Sequence, residues 1–427
     1  MRKAFLYLFV VLKICCSVDA QVYKEKKTQH RFAQTYVGLN TQFVPAQGSL
    51  TWNDQTFAFA PLISPRFTIG GLHFWGKWDF NLNIPLTLFY DREIDERTDY
   101  YFNPGGDLSA RYYPWRMEYG KIRPYAGISV NEMTFGFETE NTGDRNDLFI
   151  TGSLLGGISF AKDGLQLNAE IMWLPQNKRD FYSSRSESGT IQLPRSYFSF
   201  GLIKYFDGTL HDEEYKLSGK TEKIENDLRR ENKLNSFSIG IAPSGSYFLL
   251  APVYETGDRQ SVPLHKGVFN WDFGLGYLFH DAGIHVGLAY RDYTSRRESY
   301  GLNHLYRRRS IALEALFFIW DYNGFAPFIG PSVSYERWAA GEFEINVQVG
   351  ETQRTQMISP GIIFGWDILA SPLETWVLRT NLRYYPFQKI TDIAGKESRV
   401  DQFEFNFIQL VLYPNRMVNV PRAKRKY

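Results

Sequence analysis

Apolar residues recur at every second position over much of this chain. Phe269, Trp271, Phe273, Leu275, Tyr277 and Phe279 alternate with Val268, Asn270, Asp272, Gly274, Gly276 and Leu278. Phe80, Leu82, Ile84, Leu86 and Leu88 alternate with Asp79, Asn81, Asn83 and Thr87. Trp376, Leu378, Leu382 and Tyr384 oppose Arg379, Asn381 and Arg383, and Phe403, Phe405 and Phe407 oppose Glu404 and Asn406. A period of two is that of an extended strand, whose side chains leave on opposite faces in turn. In a soluble sandwich the apolar face points into a core and the polar face meets water. A face this aromatic on so many strands fits better against lipid, with aromatics at the interfaces and small or polar residues inside a barrel.

Segments of this kind number about sixteen. They run over 34–45, 55–68, 78–90, 106–116, 122–137, 148–161, 164–176 and 195–206, then over 236–251, 267–279, 284–294, 309–320, 325–337, 355–369, 375–388 and 401–413. Connections alternate in length. Ala161-Lys162-Asp163-Gly164, His280-Asp281-Ala282-Gly283 and Asp321-Tyr322-Asn323-Gly324 have tight-hairpin chemistry. Between them fall long polar loops at 91–105, 138–147, 177–194, 252–266, 295–308, 338–354 and 389–400. Short periplasmic turns and long outer loops predict an integral outer-membrane protein with both termini in the periplasm. Pro61, Pro65, Pro85 and Pro360 lie inside these strands and predict local bulges.

The charged segment 207–235 divides the pattern into two halves that read as repeats. Arg123-Pro124-Tyr125-Ala126-Gly127-Ile128-Ser129-Val130 is similar to Ala326-Pro327-Phe328-Ile329-Gly330-Pro331-Ser332-Val333, and Ser196-Tyr197-Phe198-Ser199-Phe200 to Gln402-Phe403-Glu404-Phe405-Asn406-Phe407. Each half resembles the small eight-stranded outer-membrane barrels, the class of the membrane domain of outer-membrane protein A. The aromatic strands and the duplication are similar to barrels of Bacteroidota. The resemblance rests on alternation, strand length and aromatic strand ends, so it implies a fold and a Gram-negative outer-membrane location. The chain departs from that class beyond Tyr413, where a tail with the basic run Arg422 to Lys426 follows. The predicted organisation is a signal peptide (1–20), a first eight-strand repeat (21–206), a charged periplasmic linker (207–235), a second repeat (236–413) and a basic tail (414–427).

Sixteen strands close either as two barrels of eight or as one wide barrel. A wide lumen holds water and is polar throughout. Here the inner faces include Leu278, Leu316, Phe318, Phe328, Ile408 and Leu410, which suits a packed interior. Single charges at Arg111, Glu170, Asp272, Glu314, Asp367, Arg379, Arg383 and Glu404 would pair inside a narrow lumen. Two tandem barrels are therefore the preferred reading, with one sixteen-stranded barrel as the alternative.

Charge and cysteines add little beyond location. A net charge of +2 gives no reason to expect nucleic acid as a partner. Arg2, Lys3, the apolar run Ala4 to Leu12 and Val18-Asp19-Ala20 have the order of a secretory signal cleaved before Gln21. Cys15 and Cys16 would leave with it, so no disulfide, thiolate metal site or cysteine nucleophile is expected, and no cofactor is assigned.

Candidate chemistry is sparse. His265 with Ser261, and His304 with Ser299 or Ser310, are pairs without the spacing of a hydrolase, and His73 and His285 fall near short turns. Asp91-Arg92-Glu93-Ile94-Asp95-Glu96 lacks the glycine and alternate-ligand spacing of a Ca²⁺ loop. Neither catalytic nor metal residues are assigned. Arg296, Arg297, Arg307 and Arg308, interleaved with Tyr293, Tyr300 and Tyr306, are the candidate contacts to lipopolysaccharide phosphate. The expected role is a non-enzymatic structural or scaffold barrel. Its partners would be outer-membrane lipid and lipopolysaccharide, the barrel-assembly machinery during insertion, and a protein not specified by sequence. A passive channel for small solutes and a lipid-modifying enzyme are the alternatives.

Overall fold

The computed structural model describes residues 33–86, 91–95, 98–139, 143–207, 219–250, 261–321, 324–369 and 373–417. The expected signal peptide, with Cys15 and Cys16, lies outside the described residues. The first half comprises β1 (Ala33–Val44), β2 (Ser49–Trp52), β3 (Gln55–Ala58), β4 (Leu62–His73), β5 (Trp78–Pro85), β6 (Asp91–Asp95) and β7 (Thr98–Asn103). It continues with β8 (Asp107–Tyr112), β9 (Ile122–Thr139), β10 (Gly143–Lys162), β11 (Leu165–Trp173), β12 (Lys178–Tyr182), β13 (Ser188–Gln192) and β14 (Ser196–Asp207). The second half comprises β15 (Ser236–Leu250), β16 (Gly267–Phe279), β17 (Ile284–Ser299) and β18 (Leu302–Phe318). It ends with β19 (Phe325–Glu344), β20 (Val347–Ile368), β21 (Trp376–Thr391) and β22 (Glu397–Leu412).

Each half closes on itself. In the first, antiparallel pairing runs β1-β4-β5-β8-β9-β10-β11-β14 and returns to β1, with Gln34 opposite Asp207 and Phe43 opposite Phe198. In the second it runs from β15 through β22 in chain order and closes with Ile239 opposite Leu412. Closure leaves no strand edge facing lipid, which is why a sheet can cross a bilayer at all. The alternation is realised as predicted: Phe269, Trp271, Phe273 and Leu275 point outward and are about half exposed, while Asp272 is fully buried inside. Among the described residues no helix is long and apolar enough to span a membrane.

The predicted repeat has a structural counterpart. Gly127 and Gly330 each lie near the start of the fifth strand of their barrel. A Cβ at Gly127 would sit 2.3 Å from the carbonyl oxygen of Ala110, and one at Gly330 1.6 Å from that of Ala315. Tyr125 and Phe328, two residues earlier in each copy, both fill the lumen.

Several expectations are corrected. The second strand is 62–73 rather than 55–68, because residues 49–58 fold away into the hairpin β2–β3. The expected polar loop 177–194 contains the hairpin β12–β13. Together these hairpins form a separate four-stranded sheet, β12-β13-β2-β3, over the first barrel. Phe181 and Ile191 from it join Phe59, Phe102, Phe135 and Tyr197 in an apolar plug. Expected loops 295–308 and 338–354 are instead largely strand, with β17–β18 paired through Ser299 and Leu302, and β19–β20 through Glu344 and Val347. Polar residues do not end a strand there, since beyond lipid the outward face meets water while Ser295, Ser299, His304 and Arg308 pack inside. Ile408 and Leu410 are not both lumenal: β22 carries one extra residue between Asn406 and Gln409 relative to β21, and this bulge turns Gln409 inward and Leu410 outward. The prolines need no bulge. Pro65 lies opposite Thr41 in an unbroken ladder, Pro85 ends β5, and Pro360 precedes the β20–β21 pairing that begins at Ile362.

The two barrels touch at both ends. At the short-turn end, Phe325 and Trp366 of the second pack on His73, Phe74 and Phe80 of the first. At the long-hairpin end, Arg185 bonds the Tyr300 carbonyl at 3.0 Å and Glu344 at 2.8 Å, and the Tyr300 hydroxyl donates to the Tyr182 carbonyl at 2.6 Å. The linker ends in a helix, Gly219–Arg230, on the short-turn side, where Arg229 lies 4.0 Å from Asp281. Past Tyr413 the chain makes a helical turn, Pro414–Met417, and Arg416 bonds Glu374, Ser236 and the Leu234 carbonyl beneath the second barrel.

Candidate functional site

The lumen of the second barrel is crossed by ion pairs. Arg379 of β21 grips Asp367 of β20 with two hydrogen bonds, at 2.7 and 2.8 Å. One turn of the pleat further, Arg383 holds Glu314 of β18 at 2.6 and 3.0 Å and Asp272 of β16 at 2.6 Å, while Asn406 bonds the same Asp272 oxygen at 2.7 Å. Glu404 of β22 then accepts from Arg291 and from Arg308, and Arg308 also grips Glu336. Tyr385 lies against Arg291 and Arg308 and bonds Ser332 at 2.8 Å. These four arginines and five carboxylates are at most 7 % exposed. A charge removed from water costs several kcal/mol unless it is paired and hydrogen-bonded, and each group here is. Near the short-turn end remains a cavity of about 30 Å³ lined by Ser238, His285, Arg379, Arg383, Asn381 and Gln409. That is space for a water or two.

The first barrel is filled differently. Arg111 joins Glu170 at 2.7 Å and Asp79 at 3.3 Å, the Tyr36 hydroxyl donates to Asp79, and Arg66 pairs with Asp107. Above this polar layer the apolar plug takes over. All eight charges expected to pair inside do so: Arg111, Glu170, Asp272, Glu314, Asp367, Arg379, Arg383 and Glu404. Arg66, Asp79, Asp107, Arg291, Arg308 and Glu336 also pair inside, although the sequence does not single them out as lumenal partners. Their alternation with outward residues was the available signal, and a triple-arginine run hid it at Arg307–Arg309.

That run divides the candidate lipopolysaccharide contacts. Arg296 and Arg307 point outward and are about half exposed. Arg308 faces the lumen and is wholly buried, so it cannot meet lipid; the strand continues through the run and neighbours leave on opposite faces. Arg297 is half-buried and donates to the Gly267 carbonyl at 3.1 Å. The structure adds three outward arginines, Arg309, Arg337 and Arg354, on the same wall.

The histidine–serine pairs are rearranged. His265 Nδ1 lies 2.7 Å from Ser295 rather than beside Ser261, and His304 lies 3.4 Å from Glu342. His285 Nε2 lies 2.7 Å from Ser238. All of these serines and histidines, with Ser299 and Ser310, are buried. Asp91–Asp95 is paired with β7 as a strand.

The outward wall decides the class. Leu288, Tyr290, Ile311, Leu313, Ile329, Val333 and Tyr335 form a continuous apolar face with charges turned inward, the reverse of a water-soluble barrel. The chain folds as two transmembrane barrels of outer-membrane type. No protein-family model and no curated protein matches the sequence. Among solved structures, it is similar to Neisserial surface protein A, with 13% identity over 42% of this chain and 97% of that one (TM-score 0.28). It is similar also to Ail, the attachment invasion locus protein of Yersinia pestis, with 15% identity over 42% of this chain and 97% of that one (TM-score 0.27). A third is outer membrane protein OprG from Pseudomonas aeruginosa, with 15% identity over 42% and 98% (TM-score 0.30). The strand count and closure stand on the hydrogen-bonded pairings themselves.

Proposed function

We propose that this chain is an integral outer-membrane protein with a structural or scaffold role, inserted by the barrel-assembly machinery and without a conducting or catalytic task of its own. The observation that carries the reading is the lumen of the second barrel, where Arg383, Glu314, Asp272, Arg291, Glu404 and Arg308 span the interior as paired, buried charges. A solute path along that axis would have to separate them. The apolar plug over the first barrel supports the same role. Long hairpins at one end and short turns with both described chain ends at the other support the orientation common to such barrels, with the linker in the periplasm. There the linker is available to a protein partner.

Single-channel recording on the full-length protein in planar bilayers tests this. Absent or very small conductance is expected. A large, steady conductance would replace the scaffold with a channel for small solutes.

A further inference from the structure

We propose that the outer wall of the second barrel binds the phosphates of a lipopolysaccharide-type glycolipid through Arg307, Arg309, Arg337 and Arg354. Strand register places them. Tyr290, Ile311, Tyr335 and Ile358 lie opposite one another across β17, β18, β19 and β20, all facing outward. Two residues further from the short turns, the outward row reads Asp292, Arg309, Arg337 and Gln356. The next row reads Thr294, Arg307, Ala339 and Arg354. A basic patch on three of these strands, β18 to β20 and about 10 Å wide, thus sits directly above this aromatic and aliphatic rung. That boundary is where lipid headgroups begin.

Arg309 and Arg337 stand directly opposite each other on neighbouring strands. Like charges in that position destabilise a sheet unless an anion lies between or beside them. These two rows supply one carboxylate, Asp292, which Arg307 and Arg309 share at 3.0 Å each, and Glu298, further out, lies 3.8 Å from Arg296. Arg337 instead lies on the Tyr335 ring, 5.4 Å from its centroid, and its Nε is 3.3 Å from the Tyr335 hydroxyl. Glu336 offers no help, since it points inward and is held by Arg308. Four guanidinium groups against one carboxylate leave three charges unmatched. Arginine forks fit phosphate oxygens in pairs, and a lipid bearing two phosphates suits the surplus better than a glycerophospholipid bearing one. Its acyl chains would descend over Ile311, Leu313, Val333 and Ile358, all exposed on the wall below.

The inference rests on this end of the barrel lying at the outer leaflet, and the two can fail separately. The full-length protein in detergent is titrated with purified bisphosphorylated lipid A and followed by native mass spectrometry. Comparison ligands are lipid A stripped of phosphate, phosphatidylglycerol and inorganic phosphate. For the variant Arg309→Gln/Arg337→Gln/Arg354→Gln, affinity for lipid A should fall on the order of tenfold or more. Arg229→Gln/Arg230→Gln, at the opposite end, should leave it unchanged. Dephosphorylated lipid A should bind wild type no better than lipid A binds the triple variant, and inorganic phosphate should not compete. If the triple variant lacks a heat-dependent gel shift, Arg337→Gln and Arg354→Gln are measured singly, each with a smaller loss. Equal affinity of wild type and variants would overturn the site. So would equal binding of dephosphorylated lipid A, or competition by inorganic phosphate. Tight phosphatidylglycerol binding that needs the same arginines would overturn the glycolipid assignment and place the patch at the other leaflet.

Discussion

Arg383 and Glu314 meet across the lumen of the second barrel, both carboxylate oxygens accepting from one guanidinium at 2.6 and 3.0 Å. They come from strands on different sides of the barrel, and the third arm of Arg383 reaches Asp272 at 2.6 Å. Replacing Arg383 by Ala would leave buried Asp272 without its ion-pair partner and Glu314 with only Arg291, 3.8 Å away. A loss of about 3–5 kcal/mol is expected, read as a lower urea midpoint for unfolding from detergent. Arg383→Met combined with Glu314→Gln and Asp272→Asn should recover part of it, because no unpaired charge then remains.

The repeat glycines give a second prediction. Gly127→Ala and Gly330→Ala each push a methyl group into a neighbouring carbonyl, which should cost about 1–3 kcal/mol as overpacking does. Each variant should lose its heat-resistant gel form at a lower temperature than wild type. Gly152→Ala, where a Cβ meets nothing within 4 Å, should not.

Independent closure predicts independent folding. Chains ending at Asp207 and beginning at Gly219 should each refold in detergent with β-rich circular dichroism and a gel shift on heating, because every barrel strand keeps both partners. Contacts such as Tyr300 to Tyr182 would be lost, so each half should be somewhat less stable than the whole. Failure of both halves to fold would contradict the closures.

Orientation can be tested by thiol labelling, since the only cysteines in the sequence are Cys15 and Cys16. Cysteine at Ser186 or Val347, both exposed at the hairpin end, should react with an impermeant reagent on intact cells. Cysteine at Asp281, in a short turn, should react only after lysis. The reverse pattern would invert the barrel.

His265 lies in the connection before β16, beyond the lipid-facing rungs, with its ring 4.6 Å from that of Tyr306. Burial, and then the charges of Arg297 and His304, hold its imidazole well below the ordinary value of 6.5. An opened connection would take up a proton near 6.5 and the packed one would not. Its packing is therefore fully present above pH 6.5 and weakens as pH falls below it. The temperature of the heat-induced gel shift should drop on acidification in wild type, and much less in His265→Gln. An identical drop in both would assign the effect to another group.

The order of residues alone determined most of the membrane strands, their two faces and eight of the inward charges, because a period of two is written locally and lipid tolerates one polarity. Phe273 outward and Asp272 inward follow from it, as does the inward placing of Arg379 and Asp367. Where hairpins rise out of lipid that constraint ends, and the polar stretch from Ser295 to Arg308 read as a loop although it is paired strand. For the same reason the arginine run reads as one surface in the sequence, while the pleat puts Arg307 outside and Arg308 in the lumen. Closure was a different matter. Joining β1 to β14 and β15 to β22 depends on hydrogen bonds between segments about 150–175 residues apart in chain order, a register that no local pattern encodes. Only in the folded barrel do Arg309 and Arg337 stand face to face, because strand register, fixed by packing on both sides of the wall, decides which charges become neighbours.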